Sequence, residues 1–221
     1  MARNRTVKSP PRRARKPTAS TRALVDGQRA LDGASLADAD LSAVSLSGRS
    51  MRAADLSGAV LAGATLLACD LRGAKLERAR LDDARLLFCD LRDANLDGAN
   101  LRAASWIGCV LRGAQLRRAD LASGSFVAVS LAAADLSRAK LEDASFVVTS
   151  LAGADLTGAR AARASFVLSR LSAARFTRAK LEGVRFALSW LRDATFEKAT
   201  GLTPESFSLA GMRAAWPAPL G

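Results

Sequence analysis

The stretch Cys89-Asp90-Leu91-Arg92-Asp93-Ala94-Asn95-Leu96-Asp97-Gly98-Ala99-Asn100-Leu101-Arg102-Ala103-Ala104-Ser105-Trp106 carries a large apolar residue at every fifth position. The same phase extends outward through Leu86, Leu81 and Leu76 on one side and Leu111, Leu116 and Leu121 on the other. It runs from Leu31 to Phe196 without a slip, and only Ala161 in the series is small. This makes about 34 tandem units. Two residues before the large residue stands, with few exceptions, a small one: Ala54, Ala59, Ala64, Cys69, Ala74, Ala79 and onward. The three positions between are polar or variable.

Neither common element accommodates a period of five. On an α-helix each step turns about 500°, which spreads the Leu residues over every face. On a straight strand an odd step sends them to alternate sides. Alanine content favours helix by propensity, but the apolar period outranks propensity. All the large residues point inward only if the chain bends once per unit, in a coil of short sides with one Leu at the middle of each. A slower period gives the number of sides. Cys69, Cys89 and Cys109 are spaced by 20, as are Trp106, Phe126, Phe146, Phe166 and Phe186. Four units therefore close one coil, for about eight coils and a rod about 40 Å long.

The units Ala54-Asp55-Leu56-Ser57-Gly58, Ala94-Asn95-Leu96-Asp97-Gly98 and Ala134-Asp135-Leu136-Ser137-Arg138 resemble the A-(D/N)-L-x-x consensus of the pentapeptide-repeat family. The resemblance covers residues 29–200. It implies an all-β fold, a right-handed quadrilateral parallel β-helix, and that hand agrees with the rule for parallel crossovers. The expected organisation is a basic Pro/Arg-rich tail over residues 1–24, the β-helix over 25–200, and a short C-terminal capping helix with its tail over 201–221. Thr203-Pro204-Glu205 reads as N-cap, N1 and a first-turn acid, opening a helix over about 204–214. Its candidate capping and dimer residues are Phe207, Leu209, Met212 and Trp216. The resemblance implies a homodimer through such a helix, with a helix that only caps as the alternative. Arg29 and Arg49 fall in the small-residue column, so the first coils should distort there or turn the guanidinium groups to solvent.

Charge divides the chain in two. Residues 1–22 hold Arg3, Arg5, Lys8, Arg12, Arg13, Arg15, Lys16 and Arg22 with no acid. The rest carries 25 basic and 21 acidic groups, a net of +4 against +12 for the whole. The tail's composition predicts disorder and a capacity for sequence-independent nucleic-acid contact. No apolar run is long enough for a membrane span, and three cysteines suit a reducing cytoplasm.

Catalytic parts are missing. There is no histidine, which removes Ser-His and Cys-His nucleophile pairs and the commonest metal ligand. No phosphate-binding GxxxxGK[ST] loop occurs. The carboxylate pairs Asp82/Asp83 and Glu142/Asp143 occupy outward positions and read as solvated faces. Cys69, Cys89 and Cys109 should stack in one interior column as inert thiols, followed there by Val129, Thr149, Ser169 and Ser189. The expectation is a non-enzymatic scaffold without cofactor.

Its most informative surface is one side of the rod. The two residues after the large one are apolar there, giving Leu67, Leu87, Phe88, Ile107, Val127, Val147, Val148, Val167, Leu168 and Leu188 as a candidate protein-partner face. Some relatives in the resembled family mimic duplex DNA to protect gyrase or topoisomerase IV. That role needs strongly negative faces, against which Arg72, Arg92, Arg112, Arg117 and Arg118 argue.

Overall fold

The five-residue unit is a device for satisfying every backbone amide, as the unit around Leu56 illustrates. Asp55 N–H donates to the Ala34 carbonyl of the previous coil at 2.9 Å, and Leu56 N–H to Lys75 of the next at 2.7 Å. Gly58 N–H reaches Glu77 at 2.9 Å, while Ala59 N–H closes a β-turn on the Leu56 carbonyl at 3.0 Å. The remaining amide, that of Ser57, donates to Asp55 Oδ1 at 3.0 Å. Asx oxygens do the same for Asp97 from Asn95 and for Thr157 from Asp155. This is the physical reason for Asp or Asn before the large residue: it holds the one amide that neither coil nor turn can reach. The residue before the turn's last position sits at positive φ, +67° at Gly58, as a type II turn requires.

A computed structural model of the protein describes residue 27 and residues 30–207. One face of the coil is built of true strands: β1 (Ser45–Ser47), β2 (Thr65–Leu67), β3 (Arg85–Leu87), β4 (Ser105–Ile107), β5 (Ser125–Val127), β6 (Ser145–Val147), β7 (Ser165–Val167) and β8 (Arg185–Ala187). They form one parallel sheet in sequence order, each pairing the next at a register of twenty residues, as in Phe126↔Phe146 and Phe146↔Phe166. Three further parallel ladders run through single-residue bridges. Ser50↔Asp70↔Asp90 marks the second face, Asp55↔Lys75↔Asn95 the third and Val60↔Arg80↔Asn100 the fourth. Four ladders make four sides. The twenty-residue turn is therefore met throughout the described chain.

The fifth-position residues form one continuous core, with Leu96, Leu116 and Leu136 each fully buried. Under the sheet the aromatics stack along the rod: Phe126–Phe146 and Phe146–Phe166 have ring centroids 4.7 and 4.8 Å apart, the strand spacing itself. Ala161 is fully buried, and one unit on Phe166 meets Phe176 edge-to-face across the axis at 6.3 Å. Arg49 is half-buried, and the ladder passes it intact, with Asp70 N–H on its carbonyl at 2.8 Å. The expected distortion of the first coils is not found at this position. Arg29 lies outside the described residues.

The C-terminal helix needs correction. Where the expected α-helix should open, the structure has a four-residue 3-10 turn, Pro204–Phe207, and residues 208–214 lie outside the described residues. It is closed at its start by Ser206 N–H on the Thr203 carbonyl and Thr203 N–H on Ser206 Oγ. Phe207 then stacks on Phe186 at 5.4 Å and meets Phe196 edge-on, covering the open end of the core. Docking that ring on the last coil favours the tighter 3-10 geometry over an α-helical first turn. Leu209, Met212 and Trp216 lie outside the described residues.

Gly201 makes the turn from the last coil into this cover. Its φ is +80°, and an added Cβ would stand 2.5 Å from the Glu182 amide nitrogen. Gly201→Ala is expected to destabilise the protein by about 1–2 kcal/mol. Hydrogen exchange should show the loss concentrated in residues 181–200; a wild-type exchange pattern would contradict it.

Candidate binding faces

On the strand face, large residues point in and their neighbours out. The second position after the buried large residue of this face forms a column containing the exposed side chains Phe88 (62% exposed), Val148 (56%), Leu168 and Leu188. Leu67, Ile107 and Val127 are exposed in the adjoining column, while Leu87, Val147 and Val167 are only half-buried. The difference follows from the next residue along. Where it is Ala68, Gly108 or Ala128 the side chain is open; where it is Phe88, Val148 or Leu168 the bulkier neighbour shades it. Phe88 lies along the face over Gly108, whose added Cβ would stand 2.6 Å from the ring. Trp190, exposed at the adjoining corner, extends the apolar surface and was not anticipated from the repeat.

This column is also strained. Phe88, Val148, Leu168 and Leu188 sit at φ of +54°, +55°, +50° and +51°, a region that bulky and β-branched residues avoid. Gly48 and Gly108 stand at the same place in other coils.

The interior column beneath the strand face is more than a space-filler. At this corner the amides of Cys89, Thr149 and Ser169 donate not into their own turns but to Cys109 Sγ, Ser169 Oγ and Ser189 Oγ of the next coil. The side chains in turn donate to carbonyls of the coil before. Thr149 Oγ1 reaches Phe126 at 3.1 Å, Ser169 Oγ reaches Phe146 at 3.2 Å, and Ser189 Oγ reaches Phe166 at 3.0 Å. The thiols copy this geometry, Cys89 Sγ meeting the Leu66 carbonyl at 3.4 Å. Hydrogen bonding with Cys109, together with burial, pushes the Cys89 thiol up to about 12, and bonding to Cys89 with burial raises Cys69 further. Among the described residues no group of His, Cys, Asp and Glu is arranged to hold a metal ion.

The other faces are dominated by ion pairs. Arg72 binds Asp70 at 2.7 Å, Arg92 binds Asp90 at 2.6 Å and Arg117 binds Asp97 at 2.5 Å. The Arg72 bond holds Asp70 well below the usual carboxylate range. Of the outward carboxylate pairs, Asp82 lies against Arg80, Glu142 against Arg160 and Asp143 against Arg163. The Arg163 bond lowers the Asp143 carboxyl below its usual range, which leaves it poorly placed to shuttle protons. Arg3, Arg5, Lys8, Arg12, Arg13, Arg15 and Lys16 lie outside the described residues. No helix among the described residues is long and apolar enough to cross a membrane.

Comparison with known proteins agrees with this geometry. A trypsin-treated form of QnrB1, described as a plasmid-mediated fluoroquinolone resistance protein, is similar over 73% of this chain and 88% of its own, with 21% identity and a TM-score of 0.56. A second trypsin-treated form gives 0.57 at 21% identity over 71% and 86%. HetL, a pentapeptide-repeat protein of the cyanobacterium Nostoc involved in heterocyst differentiation regulation, is 26% identical over 80% of this chain and 91% of its own, with a TM-score of 0.37. No curated protein matches the sequence. The family model of pentapeptide repeats matches eight copies, over residues 50–87, 89–126, 130–166 and 149–186. The chain belongs to the pentapeptide-repeat family.

Proposed function

We propose that the protein is a non-catalytic scaffold whose strand face docks a protein partner. The observation that carries this reading is the column Phe88, Val148, Leu168 and Leu188, exposed, apolar and held at positive φ. A glycine or alanine there would cost less backbone energy and less exposed apolar surface. Retaining bulky side chains at strained, solvated positions is reasonable when something else covers them. The partner should offer an apolar, weakly charged surface, because the strand-forming residues beside the column (Ser105, Ser125, Ser145 and Ser165) are neutral. The basic residues Arg85 and Arg185 mark the ends of that serine run.

The test is affinity capture by the wild-type chain and by Val148→Asp/Leu168→Asp. Both positions are exposed, so the melting temperature should move by no more than a few degrees. A specific partner bound directly by purified wild-type protein should be lost at least about tenfold in the variant. A partner retained by the variant, or none binding the purified chain, would remove the strand face as the docking site.

Gyrase or topoisomerase IV protection is the competing reading. QnrB1 is similar in fold, but the body of this chain outside residues 1–22 has a net charge of +4. A duplex mimic needs the opposite sign.

A further inference from the structure

The corner between the third and fourth faces carries a run of cations along the C-terminal half of the rod. One row is formed by the residues at the positive-φ position of the third face: Arg118, Arg138, Arg178 and Lys198, all exposed. Two residues further on, across a buried alanine, the bridges Lys140↔Arg160↔Lys180 stack a second row beside the first. Lys140 and Arg160 are paired with Asp120 and Glu142. Arg118, Arg138, Arg178, Lys180 and Lys198 have no ion-pair partner among the described residues. Arg85, Arg112, Arg170 and Arg185 on the first and second faces also lack an ion pair among the described residues, but at this edge five such cations fall in two adjacent rows.

The backbone adds a second observation. Gly58, Gly98 and Gly158 occupy the same column as the four free cations of the first row, at φ of +67°, +65° and +67°. Arginine and lysine at that position carry the steric penalty that glycine avoids. The Arg138 stem runs along the edge toward Gly158, where an added Cβ would stand 3.6 Å from its Cγ. The open glycine leaves the guanidinium its path along the axis.

We propose that this edge binds the phosphate backbone of a nucleic-acid duplex, without reading sequence. From Arg118 to Lys198 the row crosses four coil steps, about 19 Å at the strand spacing. That length matches about 5–6 base pairs of a duplex. A rigid straight array fits a polyanion that is itself straight over this distance, as a duplex is and a flexible acidic peptide is not. The edge has no aromatic side chain among these residues on which an unpaired base could stack, which disfavours single strands. The basic N-terminal residues carry the same sign and would add to affinity for a polyanion long enough to meet both.

The experiment uses the full chain and a fluorescent, mixed-sequence DNA duplex of about 20 base pairs, with an RNA duplex of equal length, titrated between about 50 and 200 mM KCl. The edge variant is Arg118→Gly/Arg138→Gly/Arg178→Gly/Lys198→Gly, which places glycine where the fold already accepts it. The control, Arg85→Ser/Arg112→Ser/Arg170→Ser/Arg185→Ser, removes the same charge from the first and second faces. The edge variant is expected to bind at least about tenfold more weakly, with a salt slope smaller by about 0.9 for each phosphate it no longer neutralises. The control should bind within a factor of about two of wild type. Equal weakening in both variants would reduce the effect to net charge and overturn the proposal. So would binding that ignores the edge variant and is carried by the N-terminal segment, or binding to anionic phospholipid vesicles with none to either duplex. Comparable binding of both duplexes supports it, and preference for one names the source.

Discussion

Replacing Phe146 by alanine is expected to lower the free energy of unfolding by about 3–5 kcal/mol. The ring is fully buried between Phe126 and Phe166, with centroids 4.7 and 4.8 Å away. Its neighbours cannot close over the resulting cavity, because strands β5, β6 and β7 are held in register on either side. Little relaxation means that most of the cavity cost is retained. The rings also stack face to face, so each deletion strips packing from the coils above and below. Phe146→Ala and Phe166→Ala together should therefore cost less than the sum of the single changes, as residues in contact do. Urea denaturation measures both, provided the m-value is unchanged; a smaller m-value would mean that the coils had begun to melt separately. A loss below about 1 kcal/mol would show that the aromatic column is not the spine of the core.

Much of this architecture was legible because one physical demand, burial, repeats at fixed intervals. The five-residue period identified the interior residues, and the twenty-residue period of Cys69, Cys89 and Cys109 counted the sides. The exposed strand-face residues followed from their offset after Phe126, Phe146 and Phe166. Shading among them did not, since the half-burial of Val147 depends on Val148 beside it and on the stacked coils. The C-terminal segment misled for a different reason. Thr203, Pro204 and Glu205 are sound helix-opening residues, but local preference yielded to the stacking of Phe207 on Phe186. The alignment of Arg118 with Arg138, Arg178 and Lys198 was not legible because a repeat read for its apolar period treats charged positions as interchangeable. Only coordinates show that Lys140 has Asp120 within reach and that Lys198 stands alone among the described residues.

The hydrogen-bonded column yields a second prediction of large effect, and it carries an internal control. Ser169→Ala is expected to cost about 2–4 kcal/mol, because its hydroxyl serves two buried groups at once. It accepts from the Thr149 amide at 3.2 Å and donates to the Phe146 carbonyl at 3.2 Å, in a residue with no measurable exposure. The methyl that replaces it can do neither, and water has no path to the site. Ser169→Cys should recover part of the loss, since Cys109 shows that a thiol can fill the same role at longer distances, accepting from the Cys89 amide at 3.4 Å and donating to the Leu86 carbonyl at 3.3 Å. The control is Val129, the one residue between Cys69 and Ser189 in this column with neither hydroxyl nor thiol. Val129→Thr offers a hydroxyl proton to the carbonyl of Trp106, in the relation that Thr149 has to Phe126. In an ordinary apolar core this substitution would destabilise, because a buried hydroxyl without partners is costly. Here it is expected to stabilise by about 1 kcal/mol. Opposite signs at positions 169 and 129, read as shifts of the urea midpoint, would establish that the corner is held by a polar ladder. Destabilisation by Val129→Thr, or a neutral Ser169→Ala, would return the column to simple packing.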